Sequence, residues 1–307
     1  MSISTPIIQV ELPSGDEISV VRRRFGRAPG ARIAIVAGIR GDAPEGIRVA
    51  HRVAEFLASI EEQLDGIVDI YPCVNPLAAH KGDRLWPFFN VDLNRLFPGK
   101  ANGHPPERVA DALVQDVTGA DLVIEVRGAR AAFREATQAH VRVKDTEAAE
   151  LAMNANVAVV WRRRAGPAAP STFAHQFPGT IVLEGGTGNR LTSQVGIDLM
   201  IGVLNLLNTK KVLNEEALPF HWAGVQRPRQ VDDNQVQRVW ATRSGLFLPV
   251  GEPWSEVEKG TELGDVIDPV TGENLEKITS PVAGHLLAVR ELPVVFPGSM
   301  VARVVSE

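Results

Sequence analysis

Short apolar runs separated by longer amphipathic stretches set the pattern of the first two thirds of the chain. "IIQVEL" and "ISVVRRRF" flank "PSGDE", which predicts a hairpin. "ARIAIVAG" predicts a short buried strand ending at Gly38. From Pro44, the residues Ile47, Ala50, Val53, Ala54, Leu57 and Ile60 recur at helical spacing, with the proline suited to a first turn. "GIVDIYPCV" predicts the next strand, "PPERVADALVQDV" a second amphipathic helix and "ADLVIEV" a third strand. "TEAAELAMNAN" reads as helix, "VAVVW" and "TIVLEGG" as strands, and "SQVGIDLMIGVLNLL" as a long apolar helix. Strands alternating with helices predict an α/β domain, a mainly parallel sheet flanked by helices. Ligands in such sheets sit at the carboxyl ends of the strands, here after Ala37, Val74, Val126 and Leu183.

The pattern changes after about residue 210, where "NEEALPFHWAGVQRPRQVDDNQ" is polar and interrupted by proline. Beyond it, "RVWATR", "GLFLPV", "GHLLAVR" and "GSMVARVV" are strand-like runs divided by turns. The expected organisation is an α/β domain over 1–215, a linker over 216–235 and an all-β domain over 236–307. A formal net charge of −5 argues against a nucleic-acid surface. The N-terminus lacks the layout of a signal peptide, and no segment has about 18 uninterrupted apolar residues, so neither secretion nor a membrane span is expected. Cys73 is the one cysteine, which excludes an internal disulfide and a cysteine-rich zinc site. A cytoplasmic protein is the default expectation.

Four segments at the strand ends, "AGIRGDAPEG", "VNPLA" with "GDR" and "VDLNRLFPG", "ADLVIEVRG" and "IVLEGGTG", occur in one order at fitting intervals. Together they resemble the aspartoacylase and succinylglutamate desuccinylase branch of the zinc carboxypeptidase superfamily. "GLFLPV", "VEKGTELGDV" and "SPVAGHL" are similar to that family's C-terminal barrel-sandwich domain. The resemblance implies a zinc carboxypeptidase-like fold and a hydrolase of amide C–N bonds. It also implies one zinc held by His-x-x-Glu in the first loop and a second His after a later strand. His₂Glu with an open position is a hydrolytic arrangement.

The matching positions here read Arg40, Ala43 and Arg127. Guanidinium has five donors and no lone pair to give, and alanine has no ligating atom. No metal site, and no cofactor in place of the family's zinc, is therefore expected. The 7 histidines are scattered along the chain, and each reads as a surface or core residue, with only His175 held in reserve. The resemblance places Glu184 where the family keeps its acid/base, Arg84, Asn94 and Arg95 where it holds a substrate carboxylate, and Asp92 in support of that loop. Arg40 and Arg127 keep the pocket cationic without a metal, with Asp42, Glu125 and Glu184 available to pair with them.

The expected function is that of a degenerate member of the family. It would bind a small carboxylate-bearing molecule, or act as the non-catalytic partner of an active paralogue or within a homo-oligomer. The alternative is an N-acyl amino acid amidohydrolase with relocated-metal or metal-free chemistry and Glu184 as base. Lys259 and Lys277 read as turn and strand-edge residues, against covalent cofactor carriage by the β domain.

Overall fold

The computed structural model describes residues 3–213 and 227–307. β1 (Ile3–Glu11) and β2 (Glu17–Gly26) form the expected antiparallel hairpin. β3 (Ala31–Ala37) runs into Gly38, where a φ of +66° turns the chain toward α1 (Pro44–Ser59). β4 (Gly66–Tyr71) is followed by α2 (Pro76–Lys81), a single short helix that the spacing of apolar residues does not announce. Asn75 caps it by accepting a hydrogen bond from the Ala78 amide at 3.2 Å. α3 (Pro105–Val117), β5 (Leu122–Gly128), α4 (Thr146–Ala152), β7 (Val159–Arg163), β8 (Ile181–Thr187) and α5 (Ser193–Thr209) coincide with predicted segments. β6 (Phe133–Arg142) was not predicted. The C-terminal third supplies β9 (Arg229–Asp232), β10 (Val236–Trp240), β11 (Gly245–Pro249), β12 (Glu256–Val257) and β13 (Glu262–Ile267). It continues with β14 (Asn274–Thr279), β15 (Gly284–Arg290), β16 (Val294–Val295) and β17 (Met300–Ser306).

The strands β4, β3, β5 and β8 lie side by side and parallel, as the alternation of strands and helices requires. The sheet as a whole is mixed. The β1–β2 hairpin joins one side antiparallel to β4, and β6 joins the other side antiparallel to β8. β15 pairs with β6, β17 with β15 and β10 with β17, so the same sheet runs on into residues 236–307. β14, β13, β11 and β16 form a second, antiparallel sheet that packs over this end. Part of the expected linker lies outside the described residues, and Arg229–Asp232 within it form β9, paired parallel with β7.

Side-chain alternation along the strands divides two cores. Ile33 and Ile35 pack under α1 and α5, whereas Ala34 and Val36 face the opposite core with Val109 and Leu113 of α3. Each such isoleucine, fully buried, contributes about 1.5–3 kcal/mol relative to exposure. Gly46 in α1 lies so close to β5 that a Cβ there would meet the Val126 carbonyl oxygen at 2.2 Å. That approach brings the loop before α1 against the end of β5: a Cβ at Gly128 would stand 3.6 Å from the Ala43 Cα. No helix among the described residues is long and apolar enough to cross a membrane.

Candidate functional site

The second core gives way at the carboxyl ends of the parallel strands to charged groups. On β5, Ile124 and Val126 enter the first core, so Glu125 and Arg127 point to the other face. On β8, Ile181 and Leu183 enter that core and Glu184 points away from it. On β6, Ala139 and Val141 do the same, and Gln138, His140 and Arg142 alternate with them. Buried charges on a sheet persist only when paired. Here they are paired to one another.

The Arg127 guanidinium donates through Nε to Glu184 Oε2 at 2.5 Å and through a terminal nitrogen to Glu125 Oε1 at 3.3 Å. Arg40 is held separately, by a two-pronged contact with Asp42 at 3.0 and 2.8 Å, and both residues are buried. Glu135 accepts from Arg130 at 3.3 Å and from Gln138 Nε2 at 3.0 Å, and Arg303 of β17 lies 3.6 Å away. Because Gln138 donates its amide nitrogen, its Oε1 is the acceptor 2.9 Å from His140 Nε2. The His140 proton is thereby placed on Nε2, which also lies 3.4 Å from Glu184 Oε1.

Of these groups Arg40, Arg127, Arg130, His140 and Glu184 line a cavity of about 430 Å³. Arg40, Arg84, Asn94, Arg95, Arg127 and Glu184, all singled out in the sequence, line it together. Arg84 is braced by Asp92 at 2.9 and 2.6 Å, and Arg95 donates to the Asn94 carbonyl at 2.7 Å. The Asn94 side chain accepts from the Phe173 amide at 2.9 Å, tying the Leu93–Arg95 turn to the far wall. His175 also lines the cavity, with Nδ1 2.8 Å from the Thr172 hydroxyl. His140, read in the sequence as a core or surface residue, is buried and also lines the cavity. It sits between Glu184 and Arg163, and strand alternation within "FREATQAHVR" was the signal for it. Glu135, Gln138, Arg130, Arg142 and Arg163 were missed with it. Eight arginines line the cavity, and Arg95, Arg142, Arg163 and Arg164 make no ion pair with a carboxylate among the described residues.

The electrostatics follow from burial and pairing. Burial opposes ionisation of Glu184, but Arg127, with His140, Arg130 and Arg163 beyond it, overrides that cost and holds its carboxyl well below the ordinary range. Burial raises Glu125 despite Arg127. Burial and the Glu184 carboxylate push Glu135 up to about 7, against the pull of Arg130 and Arg127. Burial pushes His140 down to about 3, keeping the ring neutral.

The two buried groups give opposite pH slopes. The folded chain retains a proton on Glu135 that an ordinary carboxyl, at 4.5, releases, so this contribution is complete below 4.5 and lost as pH rises through about 7. His140, lowered from 6.5, contributes above 6.5 and loses its share as pH falls toward about 3. The melting temperature of the unmodified chain relative to that of Glu135→Gln should therefore decline as pH rises from about 4.5 through about 7, whatever the variant's effect on absolute stability. Calorimetric scans across this range check it, and an unchanged slope in the variant contradicts the assignment.

The donor set does not fit a zinc ion. Arg40 and Arg127 direct N–H groups, not lone pairs, into the floor, and Ala43 beside them has no ligating atom. Among the described residues no group of three or more His, Cys, Asp or Glu side chains is arranged to hold a metal.

Comparison with known proteins gives three results. A family model described as the succinylglutamate desuccinylase/aspartoacylase catalytic domain matches residues 29–207. A curated relative, N-alpha-acetyl-L-2,4-diaminobutyric acid deacetylase of Halomonas elongata, is 33% identical over 110 residues, 36% of this chain and 30% of the relative. The matched segment thus spans less than a third of that protein. Among solved structures, the product-bound ectoine utilization protein EutE (DoeB) of Ruegeria pomeroyi superposes with a TM-score of 0.84 at 20% identity, covering 100% of this chain and 95% of that one. A succinylglutamate desuccinylase/aspartoacylase of Rhodobacter sphaeroides gives 0.81 at 21% identity, covering 97% and 92%. At those identities the structural likeness establishes the fold.

Proposed function

The chain belongs to the succinylglutamate desuccinylase/aspartoacylase family of deacylases, and we propose that it is a member whose pocket binds a small carboxylate-bearing anion without the family's zinc chemistry. One observation carries the reading: an arginine-lined cavity in which Arg127 fills the floor through Glu184 and Glu125, while Arg95 at the wall is free of any carboxylate among the described residues. Arg40, Ala43 and Arg127 stand at the three positions that the family's motifs give to zinc ligands. Guanidinium groups grip carboxylates through two parallel N–H bonds, and desolvated arginines favour a bound anion to offset their burial. Arg84 and Asn94 shape the wall on which Arg95 is presented.

Titration calorimetry with succinate and an N-acetyl amino acid tests the proposal. Heat of binding is expected, weakening as salt rises because the charged mouth is screened. Arg95→Glu is expected to abolish it, and elemental analysis of the purified chain should find far less than one zinc per chain. No heat with any anion would shift the reading to a non-catalytic partner of an active paralogue, to be sought by co-purification.

The amidohydrolase reading has Glu184 at the cavity wall and His140 beside it in its favour. Against it, Glu184 is locked to Arg127 and strongly acidic, which makes a poor proton acceptor. Hydrolysis of N-acyl amino acids by the unmodified chain that survives strong chelation would establish that alternative.

A further inference from the structure

The ends of β6 and β7 carry a charge arrangement that carboxylate binding at Arg95 does not use. The two strands run parallel, and their register sets Arg142 directly beside Arg163, with Arg164 next in the chain. Like charges opposite one another in a sheet destabilise it. Yet among the described residues the side-chain hydrogen-bond partners of these three are neutral groups. Arg142 donates to the carbonyls of Ala174 at 3.0 Å and Phe177 at 2.7 Å, and its Nε is buried with no hydrogen-bond partner among the described residues. Arg163 lies over the Trp161 ring, 4.7 Å from its centroid, and makes only a long 3.5 Å contact to His140 Nδ1. Arg164 is exposed, and only its backbone amide is engaged, with Asp233 at 2.7 Å. All three line the cavity, and Gly166, Pro167 and Ala168 keep bulky side chains away from this part of its rim.

We propose that this corner is a phosphoryl subsite, and that the ligand of the cavity is a small organic anion bearing a phosphoryl group there. A carboxylate has two oxygens, which one guanidinium fork satisfies. A phosphoryl group has three strong acceptor oxygens and carries about −1.5 to −2 charges near neutral pH. It therefore suits a cavity wall lined at two adjacent strand ends by Arg142, Arg163 and Arg164, where a carboxylate leaves most of their donors unused. The cavity, at about 430 Å³, falls within the roughly 300–1,000 Å³ range of small-molecule sites. It is large enough for the ligand to reach Arg95 with a second anionic group. The inference rests on the anion-binding reading and adds the chemical class of the ligand.

Calorimetric titration of the full chain with O-phospho-L-serine, inorganic phosphate and succinate tests it. O-phospho-L-serine should bind about tenfold more tightly than succinate, since charge-assisted hydrogen bonds of this kind are each worth roughly that factor. Arg163→Ala combined with Arg164→Ala should remove that advantage and leave succinate within about twofold. Arg164→Glu, at an exposed position with no side-chain partner, gives the same reading without disturbing the Trp161 stack. Inorganic phosphate should compete with O-phospho-L-serine in the unmodified chain and lose that competition in both variants. Succinate binding with no preference for the phosphorylated ligand, or an equal loss for both ligands in the variants, overturns the phosphoryl subsite and leaves the anion pocket intact. Absence of binding by every anion overturns both.

Discussion

Replacing Arg127 with methionine is expected to destabilise the fold by about 3–5 kcal/mol, the usual cost of removing one partner from a buried ion pair. The reason is local. Arg127 is the cation for two carboxylates at once, Glu184 at 2.5 Å and Glu125 at 3.3 Å, which are 3% and 2% exposed. Glu125 already has one oxygen with no hydrogen-bond partner among the described residues. Methionine fills much of the space and strips both acids of their charge partner. They can then remain in the fold only by taking up protons, so the loss should be smaller at pH 5 than at pH 8. Urea denaturation at the two pH values measures this. Adding Glu184→Gln to Arg127→Met should recover part of the loss, because one orphaned charge is gone, whereas independent sites would simply add. A single-variant loss below about 1 kcal/mol would mean that water, not Arg127, satisfies these carboxylates.

Much of this arrangement was legible because its residues lie where periodic strands stop. Arg40 and Ala43 follow the β3 run, Arg127 lies one residue before the end of β5 and Glu184 is its register partner within β8, so their convergence follows from a parallel sheet. β6 was not legible, and the cause is the site itself. Its C-terminal half puts Gln138, His140 and Arg142 on one face, with Ala139 and Val141 opposite them to mark the first core. A strand whose second face is an active-site wall loses the apolar signature by which buried strands are found. The pairing of β15 with β6 was hidden for a different reason. It joins residues about 150 positions apart in sequence, and no local pattern encodes it. With it came Arg303, which reaches the buried Glu135 from the C-terminal strand and makes that part of the chain a support for the site.

These two kinds of information, motif and geometry, meet in the variant that places ligating residues at the three positions proposed to have lost them. Arg40→His, Ala43→Glu and Arg127→His together should give a chain that takes up about one zinc, where the unmodified chain is expected to hold far less than one. The backbone is already in place: the loop bearing residues 40–43 packs against the end of β5, with Ala43 beside Gly128. Histidine nitrogens and a carboxylate are the donor types of a three-ligand zinc site. The charge balance favours uptake as well. Removing Arg127 leaves Glu184 and Glu125 without their cation, and a divalent ion supplies it again. The triple variant should therefore be destabilised when metal-free, as Arg127→Met is, and regain stability in proportion to zinc added, by about 2.7 kcal/mol at a hundredfold excess over its dissociation constant. Thermal denaturation with and without zinc, beside elemental analysis, reads both effects. Zinc uptake should fail in the two double variants that leave either Arg40 or Arg127 in place, because a remaining guanidinium puts a positive charge and no lone pair where a ligand is needed. A triple variant that binds no zinc and is not stabilised by it would show that these three positions do not form one site, and would remove the ground for reading Arg40 and Arg127 as replacements for metal ligands.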